Sequence, residues 1–458
     1  MNICVINGSP KGKQSITLQH IHYGSKKNPE ADFDIIDVAG RIVKIEKDED
    51  RFEAIVNKMA AADAVIWSFP VYYALVPSQL KRFVELLYER CAPGLFRDTY
   101  TTSFTTSINF FDHTAHNYMQ GVCEELGFQY IKGYSAHMDD FFREKQREAM
   151  NRFFAWFVGM VEQKVAVEKK YAVRRPKAVI YRPEPVADRE IGSRQRVLLL
   201  TDGTEEDGNL NRMVAVFRKT SSMAVEEINL HDIPMKNGCT GCCNCGYDNT
   251  CRQKDGFQEF FSDRFKGADI IIIAGTIRDH YLSALWKRFF DRSFFNGHAP
   301  VLMGKRLGFI ISGPLRRIQN LRELLEAYGE IWHMKTTGIV TDEHAASGEI
   351  TGHIRAFAKE LELVNENNMA FGARFYRVGG SKIFRDFIYN TRAVFSADHS
   401  FYKKHGFYKD FPQRQIKKRL LNISFSFFLC IPPLRKRIHK DFIPGMVAPY
   451  KKVLRRLS

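Results

Sequence analysis

The sequence predicts an α/β protein of two doubly wound, parallel five-stranded sheets in tandem, followed by a basic and mostly helical C-terminal segment. Three observations carry this. Apolar runs of strand length alternate with segments of helical period. The alternation stops and then restarts with the same order and spacing. After residue 366 no strand alternation returns.

The first-half strand candidates are 2–8 (NICVING), 33–38 (FDIIDV), 64–69 (AVIWSF), 99–107 (TYTTSFTTS) and 128–136 (FQYIKGYSA). Between them, Phe52, Ile55, Val56 and Met59 recur at helical spacing, as do Leu80, Phe83, Val84 and Leu87. Near-continuous apolar strands alternating with helices argue for a parallel sheet covered on both faces. A proline-bearing stretch follows. The second set of strands reads at 196–201, 224–230, 270–275, 306–312 and 336–341, with helices at 208–220, 257–267, 281–292, 319–332 and 350–366. The expected domains are therefore 1–170 and 196–366, joined by a linker at 171–195, with an extension at 367–458.

The chain has 458 residues, 45% hydrophobic and 26% charged, a globular composition. No basic n-region precedes a long apolar run at the N-terminus, and the late apolar run 420–433 is too short to span a bilayer. A cytoplasmic location with reduced thiols is the expectation. The net charge of +16 belongs to residues 372–458, which hold 20 Lys plus Arg against 4 Asp plus Glu.

Directly after the first strand comes 7–17 (NGSPKGKQSIT). Small and hydroxyl residues at a strand-to-helix turn present backbone amides at a helix N-terminus, which suits phosphate. Ser9, Ser15 and Thr17 can donate hydroxyls, Lys11 adds charge, and no acid lies between Asn7 and His20. After the third strand, Pro70 stops the strand, and Val71, Tyr72 and Tyr73 offer a flat apolar surface. In a sheet of order 2-1-3-4-5 these two loops face one crevice. A ligand with a phosphate at one end and a planar ring at the other fits both. The loop after the fourth strand adds Thr106 and Ser107, while His113 and His116 read more simply as surface or capping histidines.

These residues bring a family into view. GSPKGKQSIT with FPVYYALVPSQLKRFVE resembles the NAD(P)H-dependent FMN reductase family, within the flavodoxin-like fold. The resemblance covers residues 1–165. It implies FMN on Ser9, Lys11, Ser15, Thr17, Pro70, Val71, Tyr72, Tyr73, Thr106 and Ser107. Lys11, Ile16 and Ala74 depart from the family's Arg, Asn and Gly.

The second half departs further. Its first loop, 201–213 (TDGTEEDGNLNRM), puts Asp202, Glu205, Glu206 and Asp207 where a phosphate would sit. Like charges there repel the ligand, so this half is expected to have lost FMN. After its second strand comes 238–251 (GCTGCCNCGYDNTC), holding five of the nine cysteines. Cys239, Cys242, Cys245 and Cys251 have the spacing C-x2-C-x2-C-x5-C, compact enough to wrap one cuboidal cluster. Structural zinc more often takes two separated cysteine pairs. The spacing and place also resemble the motif of iron–sulfur flavoproteins, which implies a [4Fe–4S] cluster exchanging electrons with FMN across an interface. Zinc and free thiols remain open alternatives, and Cys243 is an extra thiol beside Cys242.

Together these readings predict an NAD(P)H-dependent flavin oxidoreductase that folds as its own pseudo-dimer and passes electrons to a small-molecule or protein acceptor. No residue is assigned as a catalytic acid or base. The alternatives are a metal-free FMN or quinone reductase and a flavodoxin-like electron carrier. The basic tail, with clusters at 414–419, 435–440 and 451–456 around an apolar stretch, suggests peripheral membrane contact or a solvated helical appendage. No nucleic-acid module accompanies it.

Overall fold

The structure, a computed structural model, describes residues 1–171, 179–296, 298–369, 372–434 and 437. Part of the expected linker (172–178) and most of the two last basic clusters lie outside the described residues. The chain divides into two compact units, Met1–Asp398 and His399–Ser458.

The first sheet contains β1 (Asn2–Asn7), β2 (Asp32–Asp37), β3 (Ala64–Pro70), β4 (Tyr100–Ser107), β5 (Gln129–Tyr130) and β6 (Tyr134–His137). Its order is β2-β1-β3-β4-β5, with β6 also on β4 and every pairing parallel. Helices α1 (Ile16–Lys27), α2 (Ile42–Lys47), α3 (Glu49–Ala61), α4 (Ser78–Arg90), α5 (Asp112–Leu126) and α6 (Glu144–Glu162) cover it. The fifth strand, expected as one run, is cut in two. The reason lies at Gly133, where a Cβ would meet His116 Nδ1 at 2.4 Å and the Ser103 carbonyl at 2.6 Å. The sheet edge yields to the His116 ring.

The second sheet contains β7 (Ser193–Thr201), β8 (Met223–Asn229), β9 (Ile270–Thr276), β10 (Arg306–Ser312) and β11 (Lys335–Thr341), ordered β8-β7-β9-β10-β11 and parallel. Its helices are α7 (Gly208–Thr220), α8 (Phe257–Phe260, continued by a π turn), α9 (Ala284–Arg292), α10 (Gln319–Ile331) and α11 (Ser347–Glu366). Both sheets thus have the 2-1-3-4-5 order of the flavodoxin-like fold.

Strand alternation sorts the cores. Ile3 and Val5 face the α1 and α6 side, while Cys4 and Ile6 face α4. Val197 and Leu199 face α7 and α11, while Leu198 and Leu200 face α9. The two inward cores merge: Trp67, Phe83 and Tyr118 of the first half share one cluster with Tyr281, Trp286, Phe290 and Tyr328 of the second. Helices α4 and α9 pack together at its centre.

After α11 come α12 (Phe375–Asn390), α13 (Ser396–Lys404) and α14 (Ile416–Leu429). Helix α12 packs on α10 and meets the first half, with Phe384 5.3 Å from Phe110. Among the described residues no helix is long and apolar enough to cross a membrane.

Candidate functional site

The loop after β1 is built by its own small side chains. Gly8 is pressed on α4, where a Cβ would meet Leu80 Cδ2 at 2.4 Å. The Ser9 amide donates to Asn7 Oδ1 at 3.2 Å, and the Lys11 amide donates to Ser9 Oγ at 3.3 Å. Ser15 caps α1 by accepting from the Leu18 amide at 3.3 Å. Thr17 Oγ1 lies 2.6 Å from Thr106 Oγ1, which joins this loop to the end of β4. Ser9, Ser15, Thr17 and Thr106 are buried, Lys11 is half-buried, and no acid occupies the first turn of α1. Ser107 Oγ accepts from the Asn109 amide at 2.8 Å. Hydroxyls, first-turn amides and one ammonium form a donor set that fits a phosphate, so this loop suits the FMN that the sequence resemblance implies.

The loop after β3 is a two-residue hairpin. Pro70 ends the strand, and Tyr72 and Leu75 exchange backbone hydrogen bonds of 2.8 and 3.0 Å. Its central residues Tyr73 (φ +42°) and Ala74 (φ +62°) are left-handed, as such a turn demands. Val71 donates its amide to the Thr106 carbonyl at 3.1 Å. Tyr73 does not face the crevice alone. Its ring lies 4.6 Å from Phe294 and 6.2 Å from Trp332, both of the second half. The second half repeats the hairpin at Arg278 and Tyr281, with Asp279 (φ +50°) and His280 (φ +62°) left-handed.

The cysteine loop lies on the first half's hairpin. At Gly241 (φ +65°) a Cβ would come within 2.0 Å of Tyr72 Oη and 2.8 Å of Lys11 Cε. Only a glycine allows this approach. Gln79 of α4 donates to the Cys239 carbonyl at 3.1 Å, and Phe294 sits edge-on to Tyr72 at 5.2 Å. Burial pushes the Cys239 and Cys245 thiols up to about 12. Burial, followed by the neighbouring Cys239, also raises the Tyr72 phenol. Cys242 and Cys243 are exposed. Among the described residues no three His, Cys, Asp or Glu side chains are gathered to hold a metal ion.

The second half's first loop is closed by its own carboxylate. Asp207, at the position before α7, accepts from the Thr204 amide and hydroxyl at 2.9 Å each. Arg278 Nη2 reaches across from the hairpin to both Asp207 oxygens at 3.2 Å. Although burial opposes it, these donors hold the Asp207 carboxyl below its ordinary value. Asp202 bonds to Ser283, and burial raises its carboxyl to about 6. Glu205 and Glu206 are exposed. Of the four carboxylates expected there, Asp202 and Asp207 are buried in the loop, and Asp207 stands directly before α7.

His113 pairs with Glu323 at 3.1 Å, and His116 bonds to Ser103, Thr105 and Ser135, so both are engaged within the protein. Sequence reasoning missed the Arg278–Asp207 latch. Its signal was an arginine standing where the first half has Tyr72.

The strand order and the phosphate-type loop together define a flavodoxin-like flavoprotein class. The family model described as NADPH-dependent FMN reductase matches residues 1–142 and 195–345. The chain belongs to that family, and with it to the flavin oxidoreductases. It is 25% identical over 211 residues to an iron-sulfur flavoprotein of Archaeoglobus fulgidus, spanning 44% of this chain and 94% of that protein. Among solved structures it is similar to an NADH:FMN oxidoreductase (EMOB) in its apo form, at 17% identity and TM-score 0.30, covering 34% of this chain and 87% of that one. It is also similar to FerB, a flavoenzyme NAD(P)H:acceptor oxidoreductase of Paracoccus denitrificans, at 15% identity and TM-score 0.31, covering 35% and 97%. At those TM-scores neither structural likeness bears on the site.

Proposed function

We propose that the chain is an NAD(P)H-dependent flavin oxidoreductase with one redox site built from both halves. FMN is held by the first half, and the second half supplies the cysteine loop that covers it. The observation that carries this is the contact of Gly241 with Tyr72 and Lys11. It brings a sulfur-rich loop of one half onto the ring-side hairpin of the other.

When bound, FMN supplies hydride acceptance from NADH or NADPH and release of electrons one or two at a time. The protein's own residues bind and shield. Ser9, Ser15 and Thr17 with Lys11 hold the phosphate; Pro70, Val71, Tyr72, Thr106 and Ser107 flank the ring. Tyr73 anchors the hairpin in the aromatic cluster of the second half. The halves act as an internal pseudo-dimer, and the acceptor is a small molecule or a protein.

The loop's chemistry has two forms. Cys239, Cys242, Cys245 and Cys251 hold a [4Fe–4S] cluster once the loop draws them together, or they act as thiols. Acid-labile sulfide and flavin, measured on protein purified without oxygen, decide between them. Near four sulfides per chain supports the cluster. Flavin without sulfide leaves the thiol form. Loss of NADH or NADPH oxidation from flavin-loaded protein would falsify the oxidoreductase reading itself.

A further inference from the structure

The cysteine loop is held from two sides. One is the first half's hairpin, which Gly241 meets at Tyr72. The other is the chain after α11, which belongs to neither sheet. Gly246 of the loop is buried under the turn that follows α12. A Cβ there would meet the Val394 carbonyl at 2.5 Å and the Phe395 ring at 2.9 Å. Beside it, Ser396 donates its hydroxyl to the Tyr247 carbonyl at 2.9 Å.

Phe395 is fixed in its turn. Its ring lies 4.9 Å from His298 and 5.4 Å from Phe387 of α12, and His298 bonds Asp398 at 2.9 Å. Helix α12 then runs to another loop of the first half. At Gly380 a Cβ would meet Phe110 Cζ at 2.8 Å, and Tyr376 lies 5.3 Å from Phe111. Phe110 and Phe111 belong to the loop that leaves β4 at Ser107. The 16 residues of α12, about 24 Å of helix, therefore join the loop after β4 to the cysteine loop. The cysteine loop needs an outside hold. Cys243 sits at φ +58°, a left-handed conformation that a residue with a side chain keeps where its surroundings fix it.

We propose that α12 and the turn 391–396 form a clamp that holds the cysteine loop closed on the first half's hairpin, with Phe395 and Ser396 as its positioning residues. Its bearing on the chemistry rests on the reading that this loop covers FMN held by the first half. The clamp sets how often the loop lifts, and so how far solvent and an electron acceptor reach the flavin. Cys239 and Cys245 are half-buried in the closed loop, while Cys242 and Cys243 are exposed. Lifting the loop uncovers the first pair.

The test is the rate at which each thiol of the full chain reacts with N-ethylmaleimide, located by fragmentation mass spectrometry. Cys245 reacts at least about tenfold faster in Phe395→Ala than in the unaltered protein. Truncating a packed ring raises the open fraction, and labelling follows that fraction. Cys4 and Cys123, buried in the first half's core, stay protected and report an intact fold. Phe395→Leu keeps an apolar side chain and restores most of the protection. Gly246→Ala pushes the same contact apart from the other side. The double variant with Phe395→Ala is no faster than the quicker single one, because both remove one contact. Ser396→Ala, which deletes one hydrogen bond, raises the rate about twofold or more. Should Cys4 and Cys123 label in Phe395→Ala, Gly246→Ala and Ser396→Ala decide. Unchanged Cys245 labelling in the variants that stay folded overturns the clamp. Iodide quenching of flavin fluorescence tests the underlying reading separately. Quenching rises in flavin-loaded Phe395→Ala when the loop covers the ring. Faster Cys245 labelling with unchanged quenching supports the clamp and overturns the cover over FMN.

Discussion

The backbone amide of Ser78, in the first turn of α4, donates to Oδ2 of Asp291 on α9 at 2.7 Å. The exchange is mutual, because the Ala284 amide at the start of α9 donates to Glu85 Oε1 on α4 at 2.6 Å. Each carboxylate caps the other half's helix and pairs with a buried lysine one turn back, Lys287 for Asp291 and Lys81 for Glu85. Asp291→Ala leaves the Lys287 ammonium buried without its partner. Stability should fall by about 3–5 kcal/mol, the usual cost of breaking one side of a buried pair. The urea midpoint checks this, and the double change Lys287→Met with Asp291→Leu should recover much of the loss.

Ser15 and Asp207 occupy the same position, the residue before the first helix of each half. Aspartate is as good a cap as serine. Ser15→Asp should therefore keep α1 while writing the second half's chemistry into the first. FMN affinity should drop about a hundredfold or more, since like charges placed together cost several kcal/mol. A flavin titration with unchanged circular dichroism reads this directly, and unaltered FMN affinity would contradict the assignment of the first loop.

Ala74 is held at φ +62°, a conformation that glycine takes without the Cβ conflict. Ala74→Gly should stabilise the protein by about 1 kcal/mol. The matching change at His280 should not, because His280 also bonds Glu125 at 2.9 Å. Thermal midpoints of the two variants make the comparison.

Burial pushes the His116 imidazole down to about 4. In the unfolded chain it titrates near 6.5. The fold therefore favours the neutral ring, and that contribution is complete above pH 6.5. As pH falls from 6.5 towards 4 the unfolded chain binds the extra proton and stability drops, by up to about 3 kcal/mol. Urea unfolding at a series of pH values should show this slope, and His116→Asn should flatten it.

Ile416, Leu420, Ile423 and Phe427 of α14 recur along one stripe at 64, 61, 66 and 70% exposure, with Lys417 and Arg419 in the same helix. We propose that this helix rests on anionic membrane surfaces. The protein should sediment with phosphatidylglycerol vesicles, less so at high salt, and not with phosphatidylcholine alone. Phe427→Ser should weaken it; equal binding to both vesicles would argue against a charge-guided contact.

Much of the fold was legible because its signals are local. The apolar runs from Ile3 to Ile6 and from Ile270 to Ile273 are buried on both faces, which only a covered parallel sheet asks for. Ser15 as a cap and Pro70 as a strand end act over a few residues. The Lys81–Glu85 and Lys287–Asp291 pairs were visible as spacings too, but the same spacing on an exposed helix is an ordinary surface ion pair. Nothing local says that these pairs are buried.

The sequence by itself determined the two sheets, the phosphate-type loop with its hydroxyls, the aromatic loop that follows β3, and the sulfur-rich stretch after β8. Tertiary structure alone decided that the second half's cysteines lie over the first half's Tyr72, that Tyr73 is an anchor in the other half's aromatic cluster, and that Arg278 closes on Asp207. The physical reason is separation. Periodicity, caps and turns are set within a turn or two of chain, whereas Ser78 finds Asp291 and Gln79 finds Cys239 only after the merged core has brought the two halves together.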